Sequence, residues 1–238
     1  MVFDVSGFIG EFFGTMILMV LGAGTGASFN LKKTYATGSN WTFVSIAWGL
    51  AVTMGVYVAG ALGSDGHLNP AVTIGFAAFG FFPWDQVLPY LLGQFLGAFV
   101  GAALVVVQFY PHFKATSAKN GNSVGIFATR PAIASPVFNF LSETIATWAF
   151  VFILLNLGDF TQGLKPFIVG TLITVVGMGL GTTTGFALNP ARDWGPRLAY
   201  TILPIPNRGS AEWSYAWVPM CGPIVGGVLA AGLQVLIK

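Results

Sequence analysis

Leu68-Asn69-Pro70-Ala71 and Leu188-Asn189-Pro190-Ala191 are the same tetrapeptide, placed 120 residues apart in a chain of 238. Asparagine is a good helix N-cap because its side-chain oxygen accepts from backbone N–H groups of the first turn. Proline at the first helical position forfeits no hydrogen bond. Each tetrapeptide therefore predicts the start of a helix. The apolar stretch at the first motif runs from Asn69 to Phe82 and stops before Pro83. The second, Pro190 to Tyr200, carries Arg192, Asp193 and Arg197, and its stop is expected near Leu203, before Pro204. Ten helical residues rise only about 15 Å, half the hydrocarbon thickness of a bilayer. The repeated motif thus opens two helices too short to span.

The chain around them is suited to lipid. Hydrophobic residues make up 55% and charged residues 8%, against about 25% charged in a soluble domain, and the mean hydropathy is +0.76. The charges leave long gaps: Val5 to Leu31 holds only Glu11, Trp41 to Ser64 and Gln86 to Pro111 hold none, and Ala132 to Gly158 holds only Glu143. Pro166 to Ala191 and Trp213 to Ile237 are again uncharged. Each gap is long enough for the roughly 20 residues of a spanning helix. A soluble helical core would need polar faces at helical spacing, and these segments lack them. Asp4 is the only early charge, which does not fit a cleaved signal peptide, so the first segment is expected to stay. A net charge of +2 offers no basic patch for nucleic acid. Cys221 is the sole cysteine, so no intrachain disulfide is possible, and no metal or cofactor is expected. No Ser-His-Asp set or phosphate-binding glycine loop points to an enzyme, so no catalytic residue is assigned.

The repeat extends beyond the tetrapeptides. Glu11-Phe12-Phe13-Gly14-Thr15 matches Glu143-Thr144-Ile145-Ala146-Thr147, 132 residues later. The chain reads as one domain, 1–238, made of two halves, 1–118 and 132–238. They are joined by a polar linker, 119–131, with Lys114, Lys119, Asn120, Gly121 and Asn122 around its start. Three spans per half, an odd number, force the second half to enter from the opposite face. The expected fold is an all-α membrane protein of six transmembrane helices plus two re-entrant half-helices in an inverted 3+3 repeat. In such repeats broken helices build a central solute path. Glycine pairs four apart (Gly10 and Gly14, Gly22 and Gly26, Gly93, Gly97 and Gly101, Gly222 and Gly226) read as close helix packing.

At this point the chain resembles the major intrinsic protein family, the aquaporins and glycerol facilitators. The residues that carry the resemblance are His67-Leu68-Asn69-Pro70-Ala71-Val72-Thr73, the run from Gly185 to Asp193, the two glutamate motifs, and Gln94 ahead of Gly97-Ala98. It looks like the glycerol facilitator branch: Asp193 stands where water-selective members usually carry a small residue, and Met220 follows Pro219 where many water channels place an aromatic. The resemblance implies a narrowest point at Trp48, Gly177, Phe186 and Arg192. Gly177 is placed nine residues before Phe186, with Gly179 as the nearest alternative in register. It implies a passive channel for glycerol, water and other small neutral solutes that excludes ions and protons. The alternatives are a water-dominated pore or one tuned to urea, dihydroxyacetone or undissociated lactic acid. It also implies a homotetramer among membrane lipids, multi-pass in the plasma membrane, with both termini cytoplasmic. The positive-inside rule points the other way, because Lys32, Lys33, Lys114, Lys119, Arg130 and Arg208 would all lie outside and only Lys165 and Lys238 inside.

Physical chemistry assigns roles to these positions. Two half-helix N-termini, each near +0.5 charge, would meet at the midplane and repel cations. Asn69 and Asn189 would cap with their oxygens and leave their NH2 groups to donate into the pore. Arg192 opposes the dipole of its own helix, so it is expected to reach into the pore mouth with its five donors. Asp193 favours that dipole and pairs with Arg197 at i,i+4, a structural pair. Trp48 and Phe186 would form an apolar wall opposite Arg192, or else face lipid, and Gly177 would leave the gap wide. Glu11 and Glu143 are costly intramembrane carboxylates. They are read as scaffolds that accept from backbone N–H groups ahead of each half-helix, with a proton relay as the other reading. Gln94, Thr15 and Thr147 are read as packing groups. His67 either lines the inner entrance or is a half-buried structural histidine.

Overall fold

A computed structural model describes residues 3–116, 123–161 and 163–238. Of the predicted linker, Lys119, Asn120, Gly121 and Asn122 lie outside these residues. Among the described residues there is no strand, and the helices are α1 (Val5–Asn30), α2 (Trp41–Ala61), α3 (Pro70–Ala78), α4 (Trp84–Gln108), α5 (Tyr110–Ala115), α6 (Pro136–Asn156), α7 (Lys165–Gly179), α8 (Pro190–Ile202) and α9 (Trp217–Ile237). Five of them, α1, α2, α4, α6 and α9, are long and apolar enough to cross a membrane.

Local sequence sets the boundaries. Asp4 and Asn40 accept from Gly7 N and Phe43 N and so cap α1 and α2, and proline opens α6 and α7 in the first turn. Two boundaries differ from expectation. The first half-helix ends at Ala78 rather than Phe82. Gly80, at φ +79°, reverses the chain, Gly80 N donates to Ala77 O at 3.3 Å, and Phe81 N donates to Phe76 O at 2.9 Å. This is the Schellman closure that a glycine permits. The fifth expected span contains only 15 helical residues, α7, a rise of about 22 Å. It ends in the turn 180–184, which leads into the extended segment ahead of α8.

Glycines let the backbones meet where the helices cross. A Cβ at Gly93, Gly97 or Gly101 of α4 would lie 2.6, 2.2 or 2.6 Å from the carbonyl oxygens of Phe8, Phe12 and Met16 on α1. At the matching crossing of α6 and α9, a Cβ at Gly226 would lie 2.4 Å from Thr144 O. Between α2 and α7 the approach is reciprocal: a Cβ added at Gly49 would lie 2.4 Å from Gly170 O, and one added at Gly170 would lie 2.4 Å from Gly49 O. Three crossings between paired helices therefore hold α1, α2, α4, α6, α7 and α9 around the two half-helices, α3 and α8.

Candidate functional site: a lined passage between two half-helices

The site begins in the extended segments that lead into α3 and α8. Leu68 and Leu188, the residues before each asparagine, both sit in the left-handed region, at φ +52° and +53°. A non-glycine residue there costs on the order of 1–3 kcal/mol and persists only where its surroundings over-determine it. Buried carboxylates do so here. Glu11 Oε1 accepts from Ser64 Oγ at 2.5 Å and His67 N at 2.9 Å, and its Oε2 accepts from Leu68 N at 2.6 Å and Gln94 Nε2 at 2.7 Å. Glu143 accepts from Ala187 N and Leu188 N, each at 3.0 Å. The carboxylates take the backbone donors of these segments. The carbonyls of Gly66, His67, Phe186 and Ala187 accept no hydrogen bond among the described residues, and all four residues line a cavity of about 610 Å³. The lead-in segments thus leave carbonyl acceptors beside the cavity.

The two asparagines join the halves. Asn69 Oδ1 accepts from Ala71 N at 2.9 Å, and Asn189 Oδ1 accepts from Ala191 N at 3.0 Å and Arg192 N at 3.1 Å. Their amide nitrogens cross over: Asn69 Nδ2 donates to Leu188 O at 2.8 Å, and Asn189 Nδ2 donates to Leu68 O at 2.6 Å. The expectation that both NH2 groups stand free is therefore corrected. One N–H of each ties the opposing lead-in, and one remains beside the cavity that both residues line. Pro70, Ala71, Pro190 and Ala191 are buried first-turn residues.

At one end the cavity reaches Trp48, Phe186 and Arg192; at the other it meets Asp65 and Lys165. Arg192 Nη1 donates to Phe127 O at 3.0 Å, and its guanidinium lies 3.9 Å from the centroid of the Trp48 ring. Cation and indole are therefore in face contact, not on opposite sides as expected, an arrangement a cation over an indole favours. Gly177 is not among the lining residues. A Cβ there would lie 3.0 Å from two Phe186 ring atoms, so the space it leaves is filled by the Phe186 ring rather than by the lumen. Gly181, which sequence reasoning missed, abuts the same ring, with a Cβ at 2.5 Å from Cδ1. A Cβ on Gly179 would meet open space.

The Asp193–Arg197 pair is fully engaged in hydrogen bonds. All five Arg197 donors are used. Nε and Nη2 go to Asp193 at 2.8 and 3.1 Å, Nη2 also goes to Thr129 O at 2.9 Å, and Nη1 goes to Ala211 O at 2.6 Å and Glu212 O at 3.2 Å. Asp193 Oδ2 accepts in turn from Thr129 N and Oγ1, at 2.7 and 2.8 Å. Both side chains are fully buried, and they fasten α8 to the chain at Thr129. Sequence reasoning missed Thr129 because its link to Asp193 spans 64 residues. Gln94 Nε2 bridges Glu11 and Thr73 Oγ1, and His67 Nδ1 lies 3.1 Å from Thr73 Oγ1. His67 lines the cavity and packs edge-on against Phe76, Phe82 and Tyr90. Thr15 and Thr147 are buried with no partner for their hydroxyls. Among the described residues no group of His, Cys, Asp and Glu is placed to hold a metal ion.

Comparison with known proteins agrees with this architecture. The chain is 70% identical over 233 residues, 98% of its length and 99% of the relative's, to glycerol uptake facilitator protein 2 of Lactiplantibacillus plantarum. It is 51% identical to a glycerol uptake facilitator protein of Streptococcus pneumoniae, over 93% of this chain and 94% of that one. Its fold overlays the X-ray structure of the aquaglyceroporin from Plasmodium falciparum with a TM-score of 0.85 and 34% identity, covering 97% and 95% of the two chains. With the family's sequence profile matching residues 3–233, the chain belongs to the major intrinsic protein family.

Proposed function

We propose that this chain is a passive channel for glycerol, water and other small neutral solutes, working as a homotetramer with one passage per subunit. On this reading it sits in the plasma membrane with both termini in the cytoplasm, and 1–118 and 132–238 are the two halves of a single channel domain. The observation that carries the proposal is the two-sided lining. Unpartnered carbonyls of Gly66, His67, Phe186 and Ala187 accept, the spare N–H groups of Asn69, Asn189 and Arg192 donate, and Val52, Val56, Val72, Phe150 and Ile173 are among the apolar residues of the wall. A polyol has the matching form, with hydroxyls along one edge and CH groups along the other. Its hydroxyl hydrogens meet the carbonyls and its oxygens meet the asparagine and arginine donors. At the narrow end the carbon chain slides past the Trp48 and Phe186 rings, taking the place of the Arg192–Trp48 contact.

Ions are excluded by the same parts. A cation meets Arg192 and the facing N-termini of α3 and α8, each worth roughly half a positive charge. An anion would have to leave water for an apolar wall and carbonyl oxygens. The relatives at 70% and 51% identity are named glycerol uptake facilitators, which supports glycerol as the solute. Stopped-flow light scattering of proteoliposomes under water, glycerol, urea and lactic acid gradients tests the proposal. Water and glycerol are expected to equilibrate faster than in protein-free vesicles, without saturation and without dependence on an ion gradient. Glycerol flux no faster than in empty vesicles would overturn it.

A further inference from the structure

Phe186 is held from behind, and one of the residues that holds it, Trp41 of α2, has no part in the lining. Trp41 Nε1 donates to Gly177 O at 2.9 Å, across 136 residues of sequence. Its ring meets the Phe186 ring edge-on, at 5.6 Å between centroids and 77° between planes. Phe186 also rests on Gly177 and Gly181, where added Cβ atoms would lie 3.0 and 2.5 Å from ring atoms. One turn along α2 from Trp41, the Ser45 hydroxyl is buried without a partner and lies 3.2 Å from the position of a Gly177 Cβ. The aromatic wall of the narrow point therefore lies in a seat with two glycine faces and an indole edge. The indole also fixes the distance between α2 and α7 by binding the carbonyl of one of those glycines. Phe186 itself has φ +39°, so its backbone is held away from its relaxed geometry and the ring position depends on the seat.

We propose that Trp41 is a positioning residue that, with Gly181, sets how far the Phe186 ring projects into the passage and hence the largest solute admitted. This deepens the channel reading and rests on it. The geometry gives opposed signs for two changes. Gly181→Ala places a methyl group where the ring lies and drives Phe186 toward the lumen. Trp41→Ala removes the edge contact and the tie to Gly177 O, and lets the ring recede toward α2. Trp41→Phe keeps an aromatic edge but loses the N–H. Shape changes of one methyl group in a packed slot discriminate solutes by about tenfold.

The test is a permeability series in proteoliposomes, with water, glycerol, a four-carbon and a five-carbon polyol, each normalised to water in the same preparation. Gly181→Ala is expected to lower the glycerol-to-water ratio by about tenfold. Trp41→Ala is expected to raise the ratio of five-carbon polyol to glycerol, and Trp41→Phe to fall between it and the unaltered protein. Fluxes are taken above those of protein-free vesicles, so a smaller amount of folded protein lowers them together while their ratios still report on the passage; ratios equal to those of the unaltered protein in Trp41 variants that still conduct water overturn the proposal. Phe186→Ala separates the two levels of the argument. If it shifts the ratios while Trp41→Ala does not, the seat is wrong and the narrow point stands. If Phe186→Ala also leaves them unchanged, the narrow point itself is misplaced.

Discussion

Replacing Glu11 by glutamine would put an NH2 group into a pocket that already supplies four donors. If the new nitrogen takes the place of Oε1, Ser64 can turn its hydroxyl, but the His67 N–H is stranded. If it takes the place of Oε2, the Leu68 N–H is stranded, and Gln94 must flip to offer its own oxygen, which has no partner in this structure. Either way one buried backbone donor is orphaned, at about 1–3 kcal/mol, and the left-handed turn at Leu68 loses part of its hold. Glu11→Gln is therefore expected to lower the unfolding midpoint of the purified protein in detergent, and Glu143→Gln to do the same through Ala187 N or Leu188 N. Unfolding of both variants together with the parent protein would show that the carboxylates are not the clamp. Both glutamates stand out in the sequence because a carboxylate inside a span is expensive without a task. The crossed bonds from Asn69 to Leu188 O and from Asn189 to Leu68 O are not visible there. They depend on where two half-helices from opposite faces stop, a distance no local pattern encodes.

Among elements, the decisive pair is α3 and α8, whose N-termini face one another across the crossed asparagines. Asn69→Asp isolates the electrostatic part of this arrangement. Aspartate caps a helix about as well as asparagine, so α3 should persist. What changes is the charge between two helix ends that each carry about half a positive unit, and the loss of the donor to Leu188 O. At 4 Å and an effective dielectric of about 20, one unit charge is worth about 4 kcal/mol, enough to speed cation or proton leakage by at least about tenfold. Vesicles holding the parent protein are expected to keep an imposed pH gradient while passing glycerol, and vesicles holding the aspartate variant to lose it. Equal gradient decay in the two would remove the facing dipoles from the account of ion exclusion. The existence of both half-helices was legible from Asn-Pro, whose capping chemistry is local. The stop of α3 at Ala78 was not, because the apolar run continues to Phe82 and only the positive φ of Gly80 breaks it. The shortness of α7 was hidden for a different reason: the turn at 180–184, Leu180-Gly181-Thr182-Thr183-Thr184, carries no charge and no proline, so nothing in the uncharged stretch marks where the helix ends. Gly181 and Trp41 escaped because their importance comes from the Phe186 ring that both touch, not from any spacing of their own.

Over the whole molecule the charges outside the spans are sorted by face. The side where α1 ends and α6 begins carries Lys32, Lys33, Lys114, Arg130 and Arg208, with Glu212 3.9 Å from Arg130. The side of the described termini carries Asp4, Asp65, Asp85 and Asp159, with Lys165 and Lys238. By loop charge alone the basic face belongs in the cytoplasm, whereas the orientation proposed here puts it outside, with Arg192 nearest the external mouth. The two cannot both hold, and the molecule offers a clean way to decide. Cys221 is the sole cysteine and is exposed, so Cys221→Ser gives a background for single reporters. Lys33→Cys sits in the loop after α1 and Asp159→Cys in the loop before α7, on opposite faces of the bundle. In intact cells a membrane-impermeant maleimide is expected to label the reporter at 33 and to reach the one at 159 only after lysis. The reverse pattern would mean that the loop charges govern insertion. An incoming solute would then meet Asp65 and Lys165 first and pass the asparagines before reaching the Trp48–Phe186–Arg192 constriction on the way into the cell. Because a passive passage conducts equally well from either end, flux measurements alone would never reveal that inversion, and labelling is the measurement that does.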